Sequence, residues 1–583
     1  MSRGELHGDF PPSPLREYAL VADGERGALC GPHGEIVWLC APRWHDDAVF
    51  ASLIGGEGAY AVTPTTRCVW GGSYEPGTLI WRNRWATDQG RVVTCRDALA
   101  MPTRLDSLVL LRRVEATDGD ARVRVLLDAR AAFGRERARE LRRVDDGTWT
   151  GRVGSLYLRW SGALGVRVDD AVLSCEIEVR AGMRHDLVLE LGERPFDGPP
   201  PDPDAAWRET AAAWAERVPS FASSAAPRDT RHAYAVMAGL TSSTDGMVAA
   251  ATMSLPERVD ADRNYDYRYV WIRDQCYAGL AVAADGSHPL LTSATGFVTA
   301  RLLADGDRLE PAYLVDGSQV PAEESLGLPG YPGGADVKGN WVRQQFQLDS
   351  LGESLSLFAA AAARDVLDAD ARRAAKVAVD VIAGRWEGKD AGIWELDDDW
   401  WTHSRLACAA GLKSYAPHVG SAEADRMREL AAAILARTTD RCLHADGRWQ
   451  RTPKDKRVDA ALVLPPLRGA LDAADPRTLA TLDAVRHDLV DDWYVYRYRP
   501  ESGELGDDEG AFLLCGFLLS LAEWQQGNLV AAFRAFERNR AACGPPGLLA
   551  EEFDVDQRQL RGNLPQAFVH ATLLEASVRL GEA

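Results

Sequence analysis

Hydrophobic and polar positions change their rhythm near residue 200. Before it, short β-type runs alternate with turn formers, most clearly at Glu35–Cys40, Thr78–Trp85, Arg91–Arg96, Leu108–Val114, Val123–Leu127, Ser155–Trp160, Val172–Val179 and His185–Leu191. Gly, Asp and Pro punctuate these runs at strand-plus-turn spacing, which predicts an antiparallel two-layered β-sandwich over residues 1–195. The stretch Asp197–Pro203 holds four prolines and reads as a stiff linker, because proline donates no backbone hydrogen bond. A helix is expected from Asp204 to Val218, with Trp207 and Trp214 on one stripe. Residues 196–227 are thus a Pro-rich linker with its helix.

From about Arg228 the period becomes 3.6. Twelve helical segments are read at 228–242, 273–285, 288–304, 342–363, 369–386, 400–417, 421–438, 457–472, 476–489, 508–525, 528–541 and 565–580. Connections into the even-numbered segments are long and rich in Trp, Tyr, Asp and Glu, whereas most of the others are short and plain. Antiparallel helical hairpins closed into a ring place all the rich connections at one end. The prediction for 228–583 is an (α/α)6 barrel with its site at one mouth.

Charge narrows the ligand. Lys+Arg 66 against Asp+Glu 86 leaves a net charge of -20 over 583 residues, which repels nucleic acid and anionic membranes. A small neutral ligand is favoured; the sequence sets no oligomeric state. No apolar run is long enough to span a bilayer, and Met1–Pro14 carries no signal-type segment. The ten cysteines are scattered from Cys30 to Cys543 without a CxxC pair or a Cys/His cluster, so buried reduced thiols, no metal site and a cytoplasmic location are expected. Eighteen tryptophans, several beside charged residues, suit sugars, which stack on rings and seek charged partners with their hydroxyls.

Four connections carry chemistry. Arg263–Asp274 packs three tyrosines, Trp271 and the pair Arg273/Asp274 into twelve residues. The pair suits vicinal hydroxyls, or equally an ion pair at a helix start. Gly330–Asn340 and the segment through Gln345, Gln347, Asp349 and Glu353 follow; no Gly-Lys-Ser/Thr marks a phosphate loop, and Leu348, Leu351 and Leu355 read as buried against a solvated polar face. Asp390–Ser404 sets Glu395 directly after Trp394. Neighbouring rings desolvate a carboxyl and keep its proton available near neutrality, as a general acid needs, while the acidic run to Asp399 also reads as plain surface charge and His403 as a hydrogen-bonding residue. The fourth connection holds Glu551–Asp554 and Gly562–His570. Two carboxylates facing across a mouth are what glycoside hydrolysis requires.

Taken together, Trp271–Asp274, Gly392–Glu395, Glu551–Asp554 and Gly562–Phe568 occur in the order seen in glycoside hydrolase family 15, and Tyr18–Val21 and Gly34–Arg43 resemble its bacterial branch. The resemblance spans nearly the whole chain. It implies an N-terminal β-sandwich (supersandwich), a linker helix and an (α/α)6 catalytic barrel, with an inverting mechanism. In it Glu395 matches the general acid and Glu551, rather than Glu552, the general base. Arg273 and Asp274 match the grip on the terminal glucose. Tyr267, Trp271 and Trp394 match aromatic positions of the same pocket, and Arg497 with Tyr498 a further contact to the sugar. The main expectation is an exo-acting hydrolase releasing β-glucose from malto- or isomalto-oligosaccharides in the cytoplasm, since neither a signal peptide nor a starch-binding module is read. The alternative is a trehalase of the same family, and only then are phosphate and magnesium expected to matter; otherwise no cofactor is implied. A phosphorylase or a non-catalytic sugar-binding protein fits less well, because both glutamates are retained. The sandwich is expected either to brace the barrel or to send its Pro42–Asp47 turn to the pocket rim.

Overall fold

The structure, a computed structural model, describes residues 10–258, 264–499 and 509–582. Arg263 and the first residue of the segment expected at 508–525 lie outside them, as do residues 1–9 of the expected sandwich.

The N-terminal part holds two eight-stranded antiparallel sheets. One runs Ala19–Ala22, Gly27–Cys30, Glu35–Cys40, Ala59–Pro64, Ala121–Asp128, Val172–Val179 and Arg167–Asp169, with Ala48–Phe50 beside Glu35–Cys40. The other runs Arg139–Arg143, Thr148–Val153, Leu156–Ser161, Arg184–Gly192, Ser107–Ala116, Val92–Leu99, Trp81–Thr87 and Cys68–Tyr74. Alternating Val, Leu and Ile from both inner faces fill the space between them. Arg112 ties the layers: it is fully buried, pairs with Asp97 at 2.8 Å, and donates to the carbonyls of Tyr60 and Gly34 in the facing sheet. Removing either partner of such a pair costs about 3–5 kcal/mol, because a buried charge is left uncompensated. The run expected at Thr78–Trp85 begins three residues later, since Thr78 spends its hydroxyl on the turn carbonyl of Glu75. Short or polar strands such as Cys68–Tyr74 were invisible to an apolar-run reading.

The linker helix spans Pro203–Arg217, capped by Asp202, which accepts from the Ala205 amide at 2.7 Å. Its Trp207 lies under the Arg96 guanidinium, 4.2 Å from the ring centre, and donates to Asp186. That fastens the helix to the second sheet, while Trp214 is wholly buried.

Twelve helices follow among the described residues: α1 Pro227–Leu240, α2 Ile272–Asp285, α3 Pro289–Asp305, α4 Asp349–Ala363, α5 Ala369–Arg385, α6 Thr402–Tyr415, α7 Ser421–Cys442, α8 Leu464–Leu467, α9 Pro476–Asp488, α10 Leu513–Gln525, α11 Leu529–Arg540 and α12 Ala567–Gly581. The even-numbered helices pack in a closed inner ring, α2 on α4, then α6, α8, α10, α12 and back to α2, and the odd-numbered ones lie outside it. The inner helices bury nearly every side chain, as along α10 and α12, whereas α7 buries a single stripe. Gly352 of α4 and Gly411 of α6 meet backbone to backbone; a β-carbon on Gly411 would stand 2.1 Å from the Gly352 carbonyl oxygen.

Three helices depart from expectation for local reasons. The 342–363 segment becomes a 3-10 turn at Trp341–Gln344, capped by Asn340, and helix resumes only at Asp349. The freed residues Gln345 and Gln347 point at the site described below. The 457–472 segment is a 3-10 turn, Ala460–Val463, plus the single-turn α8, because Pro465 and Pro466 supply no N–H to extend it. Cys442 ends α7 four residues beyond its expected limit. The solvated-face expectation fails for Asp349 and Glu353, both buried on the inner side of α4, while Leu348, Leu351 and Leu355 are buried as read. All the cysteines are unpaired, and all but Cys68 and Cys543 are buried. No helix among the described residues is long and apolar enough to cross a membrane.

The Pro42–Asp47 turn braces the barrel and does not line the cavity. Arg268, fully buried between Tyr267 and Tyr269, pairs with Asp266 at 2.7 Å and donates to the carbonyls of Trp44 and Asp46. The sandwich thereby holds the loop that carries Tyr267 and Trp271.

Candidate active site

The loops entering α2, α4, α6 and α12, with those around α8 and α10, enclose a cavity of about 650 Å³. Glu395, Glu551, Arg273, Asp274, Tyr267, Trp271, Trp394, Arg497 and Tyr498 all line it. Residues from four separate stretches of sequence thus meet at one mouth of the ring.

On one wall Glu395 is held by donors. Its Oε1 accepts from Trp271 Nε1 at 2.7 Å, from Arg273 at 3.2 Å and from Gln347 Nε2 at 3.2 Å. Gln345 holds the backbone by donating to the Glu395 carbonyl at 3.2 Å. The side chain is 23% exposed, and Oε2 is left toward the cavity by this arrangement. Glu395 sits at φ 57°, a left-handed backbone that only a tightly determined turn sustains. Gly392 at φ 68° makes that turn, and the Trp401 ring lies 2.8 Å from where its β-carbon would be. Trp394, expected to desolvate the carboxyl, instead donates its indole N–H to Asp459 at 3.0 Å and packs edge-on to Phe512.

Arg273 also donates to the Ile393 carbonyl at 2.9 Å, so it fixes the acidic loop as well as its side chain. Its Asp274 partner is loose, at 3.7 Å, and neither carboxylate oxygen of Asp274 has a hydrogen-bond partner. Burial pushes the Asp274 pKa up to about 6, against the pull of Arg273. The ion-pair reading of this dipeptide is therefore the lesser part of its structure.

A second part of the lining gathers carboxyls around Glu551. Glu551 is 8% exposed and accepts from the Tyr267 hydroxyl at 3.0 Å; the same hydroxyl lies 3.0 Å from Glu257 Oε1. Burial and then the Glu257 carboxyl raise the Glu551 pKa well above the ordinary range. Glu552 faces away, its Oε2 accepting from the Gly510 amide at 3.0 Å. Arg497 pairs with Glu509 and lies over the Phe512 ring at 4.5 Å.

Glu257, Asp459 and the basic rim of Arg451 and Arg457 were not singled out from sequence, whereas Tyr265 and Gln347 lie within connections that were. Glu257 lies eight residues before the motif loop begins to look dense, and a lone glutamate after a proline carries no signal. Arg451 stacks 3.7 Å from the Tyr498 ring centre and pairs with Asp455 at 2.7 Å. Asp397 and Asp398 are exposed on the cavity rim. His403 is buried with neither ring nitrogen bonded to protein, contrary to its expected hydrogen-bonding role, and burial pulls its pKa down to about 3. Among the described residues no group of three His, Cys, Asp or Glu side chains is arranged to hold a metal ion.

Carboxylates, an arginine and aromatic rings line one cavity at the mouth of the (α/α)6 barrel, an arrangement that suits glycoside hydrolysis. The chain belongs to glycosyl hydrolases family 15, whose family model matches residues 231–578, and a trehalase-like N-terminal family matches residues 3–193. It is 29% identical to a trehalase of Mycolicibacterium smegmatis, over 99% of this chain and 92% of that one. A trehalase of Mycobacterium tuberculosis is 28% identical over 99% of this chain and 91% of its own. A bacterial glucoamylase crystallised with acarbose shares the fold, with a TM-score of 0.72 over 98% of this chain and 95% of its own at 14% identity.

Proposed function

We propose that this family 15 glycosidase is a trehalase, cleaving the α,α-1,1 bond between two glucose units with inversion. The observation that carries the reading is the full-length likeness to two trehalases, sandwich included. It displaces the malto- and isomalto-oligosaccharide expectation, which rested on the wider family. In this reading Glu395 protonates the glycosidic oxygen through Oε2, the oxygen its donors leave free. Glu551, on the facing wall, takes a proton from the attacking water. Arg273 and Asp274 grip the hydroxyls of the glucose whose anomeric carbon is attacked, beside Tyr267, Trp271 and Trp394. Arg497 and Tyr498 contact the sugar from the α10 side. The polar cavity supports a small neutral disaccharide; the reading keeps a cytoplasmic setting and a chain divided as 1–195, 196–227 and 228–583.

The test is proton NMR of sugar released from trehalose, maltose, isomaltose and longer oligomers, with and without phosphate and magnesium. One β-glucose and one α-glucose appearing first from trehalose support the proposal. Faster turnover of maltose or isomaltose returns the glucoamylase-like reading, and two α-glucose molecules sink inversion. The acid limb of the rate profile then reports the base and the alkaline limb the acid.

A further inference from the structure

Helix α4 starts late, and the residues this frees reach the acid. The chain leaves the Trp341–Gln344 3-10 turn in an extended backbone at Gln345, φ -92° and ψ 158°, and helix begins only at Asp349. Side chains two apart on an extended stretch share a face, whereas on a helix they diverge by about 200°. Gln345 and Gln347 accordingly reach one loop, and Phe346 between them lies against the Arg385 guanidinium, 3.5 Å from its ring centre. The Phe346 carbonyl accepts from the Ala391 amide at 2.9 Å, so backbone as well as side chains tie this stretch to the acidic loop.

The network gives the Gln347 amide one direction. Its Oε1 accepts from Arg273 Nη1 at 3.4 Å, and its Nε2 donates to Glu395 Oε1 at 3.2 Å and to Gln345 Oε1 at 3.3 Å. Turned over, it would set N–H against guanidinium N–H and oxygen against carboxylate oxygen. Gln345 gives its own amide N–H to the Glu395 carbonyl at 3.2 Å. One glutamine thus binds the side chain of the acid and the other its backbone. A closed ring runs from Glu395 Oε1 through both arms of the Arg273 guanidinium to Gln347 and back. Trp271 and Arg273 hold the same oxygen, but both also line the cavity; Gln347 is buried and lines none of it.

We propose that Gln347, backed by Gln345, is a positioning residue for the acid: it occupies Oε1 of Glu395 and steadies the turn, so that the catalytic proton sits on Oε2. The inference rests on Glu395 being that acid. A carboxyl oxygen that accepts three N–H bonds has no lone pair left for a proton, which confines the proton to the other oxygen. Without the Gln347 donor, Oε1 regains room for it, and the side chain loses a restraint. As the proton passes from Oε2 to the departing oxygen and the C–O bond breaks, the charge left on the carboxylate spreads to Oε1. The Gln347 hydrogen bond strengthens at that moment, because its acceptor has become ionised.

The experiment measures kcat and KM of Gln347→Met, Gln345→Met and Glu395→Gln on whichever disaccharide the wild type hydrolyses and on α-glucosyl fluoride, whose leaving group needs no proton. The thermal midpoint of each variant is taken alongside. Methionine keeps the length and bulk of glutamine and removes its donor. Gln347→Met is expected to lose about 10–100-fold in kcat on the disaccharide, the cost of a misplaced acid, while kcat on the fluoride stays within about threefold of wild type and KM changes little. Gln345→Met should show the same split at about three- to tenfold, the size of one hydrogen bond. That residue is partly exposed, so its variant carries the test if Gln347→Met does not fold. A residue that only braces the pocket slows both substrates alike. Equal losses on the two, in a folded protein, therefore overturn the proposal, as does wild-type disaccharide turnover by Gln347→Met. A Glu395→Gln enzyme as slow on the fluoride as on the disaccharide instead removes the acid assignment on which the proposal stands, a different failure seen in a different variant.

Discussion

The two walls of the cavity solve opposite problems with the same side chain. Around Glu395 donors are in surplus: an indole, a guanidinium and an amide converge on one oxygen. Orientation there is settled by fixed N–H groups, and the second oxygen is free for chemistry. Around Glu551 other carboxyls gather, with Glu257, Glu552 and Glu509 close by, and burial and then the Glu257 carboxyl raise the Glu551 pKa well above the ordinary range. The Glu551 side is thus where burial and like charge act together on a carboxyl.

The largest effect expected from breaking this contrast is at the carboxylates themselves. Glu395→Gln and Glu551→Gln should each lower kcat on a natural disaccharide by about 10²–10⁴-fold. On α-glucosyl fluoride, whose leaving group needs no proton, only the Glu395 variant should recover. Recovery of both, or of the Glu551 variant alone, would exchange or erase the assigned roles.

Next comes the clamp. Arg273→Lys keeps a charge but cannot reach Glu395, the Ile393 carbonyl and the sugar together, because an ammonium lacks the planar fork. A loss of about 10–100-fold in kcat/KM is expected, the size of losing one or two charge-assisted hydrogen bonds. Unaltered kinetics would show that the donor-rich wall does not depend on it.

Trp394→Phe removes a single hydrogen bond to Asp459 while keeping a ring against Phe512. About a tenfold loss is expected, mostly in KM if the ring serves the sugar and mostly in kcat if it sets the Glu395 turn. Steady-state kinetics separate the two, and no change in either would leave the Asp459 contact purely local.

The smallest effect lies below the pocket. Burial pushes the Glu353 carboxyl up to about 7, well above its value near 4.3 in an unfolded chain. The folded protein therefore binds more protons than the unfolded one between those values. The stability this group adds is complete below about pH 4 and is lost as pH rises through about 7. Glu353→Gln should accordingly raise the thermal midpoint at pH 8 by a few degrees, with a smaller gain at pH 5. A loss at pH 8 would show that the Glu353 charge is needed against Arg468.

Much of this architecture was legible in the chain. Alternation with turn formers marks the sandwich because each strand buries one face in a layer, and the helical period marks the barrel because its outer helices turn a stripe inward while its inner ones are apolar nearly all round. Even the placing of the site at one mouth followed from the unequal connections. Glu395, Glu551 and their aromatic and arginine companions stand in compact local motifs, and it is the resemblance of those motifs to family 15, not their spacing, that singles them out. The turn at Gln345–Leu348, the single-turn α8 and the burial of Asp349 and Glu353 were not legible, since each depends on what a neighbouring helix or loop leaves open. Glu257 is the clearest case. In sequence it is one glutamate among many, nearly three hundred residues from Glu551; only when α12 closes the ring against α2 do the two carboxyls meet across Gly562 and Tyr267. Local order is written by periodicity and turn chemistry, whereas the surroundings of a buried carboxyl are set by groups that only the closed barrel brings within reach.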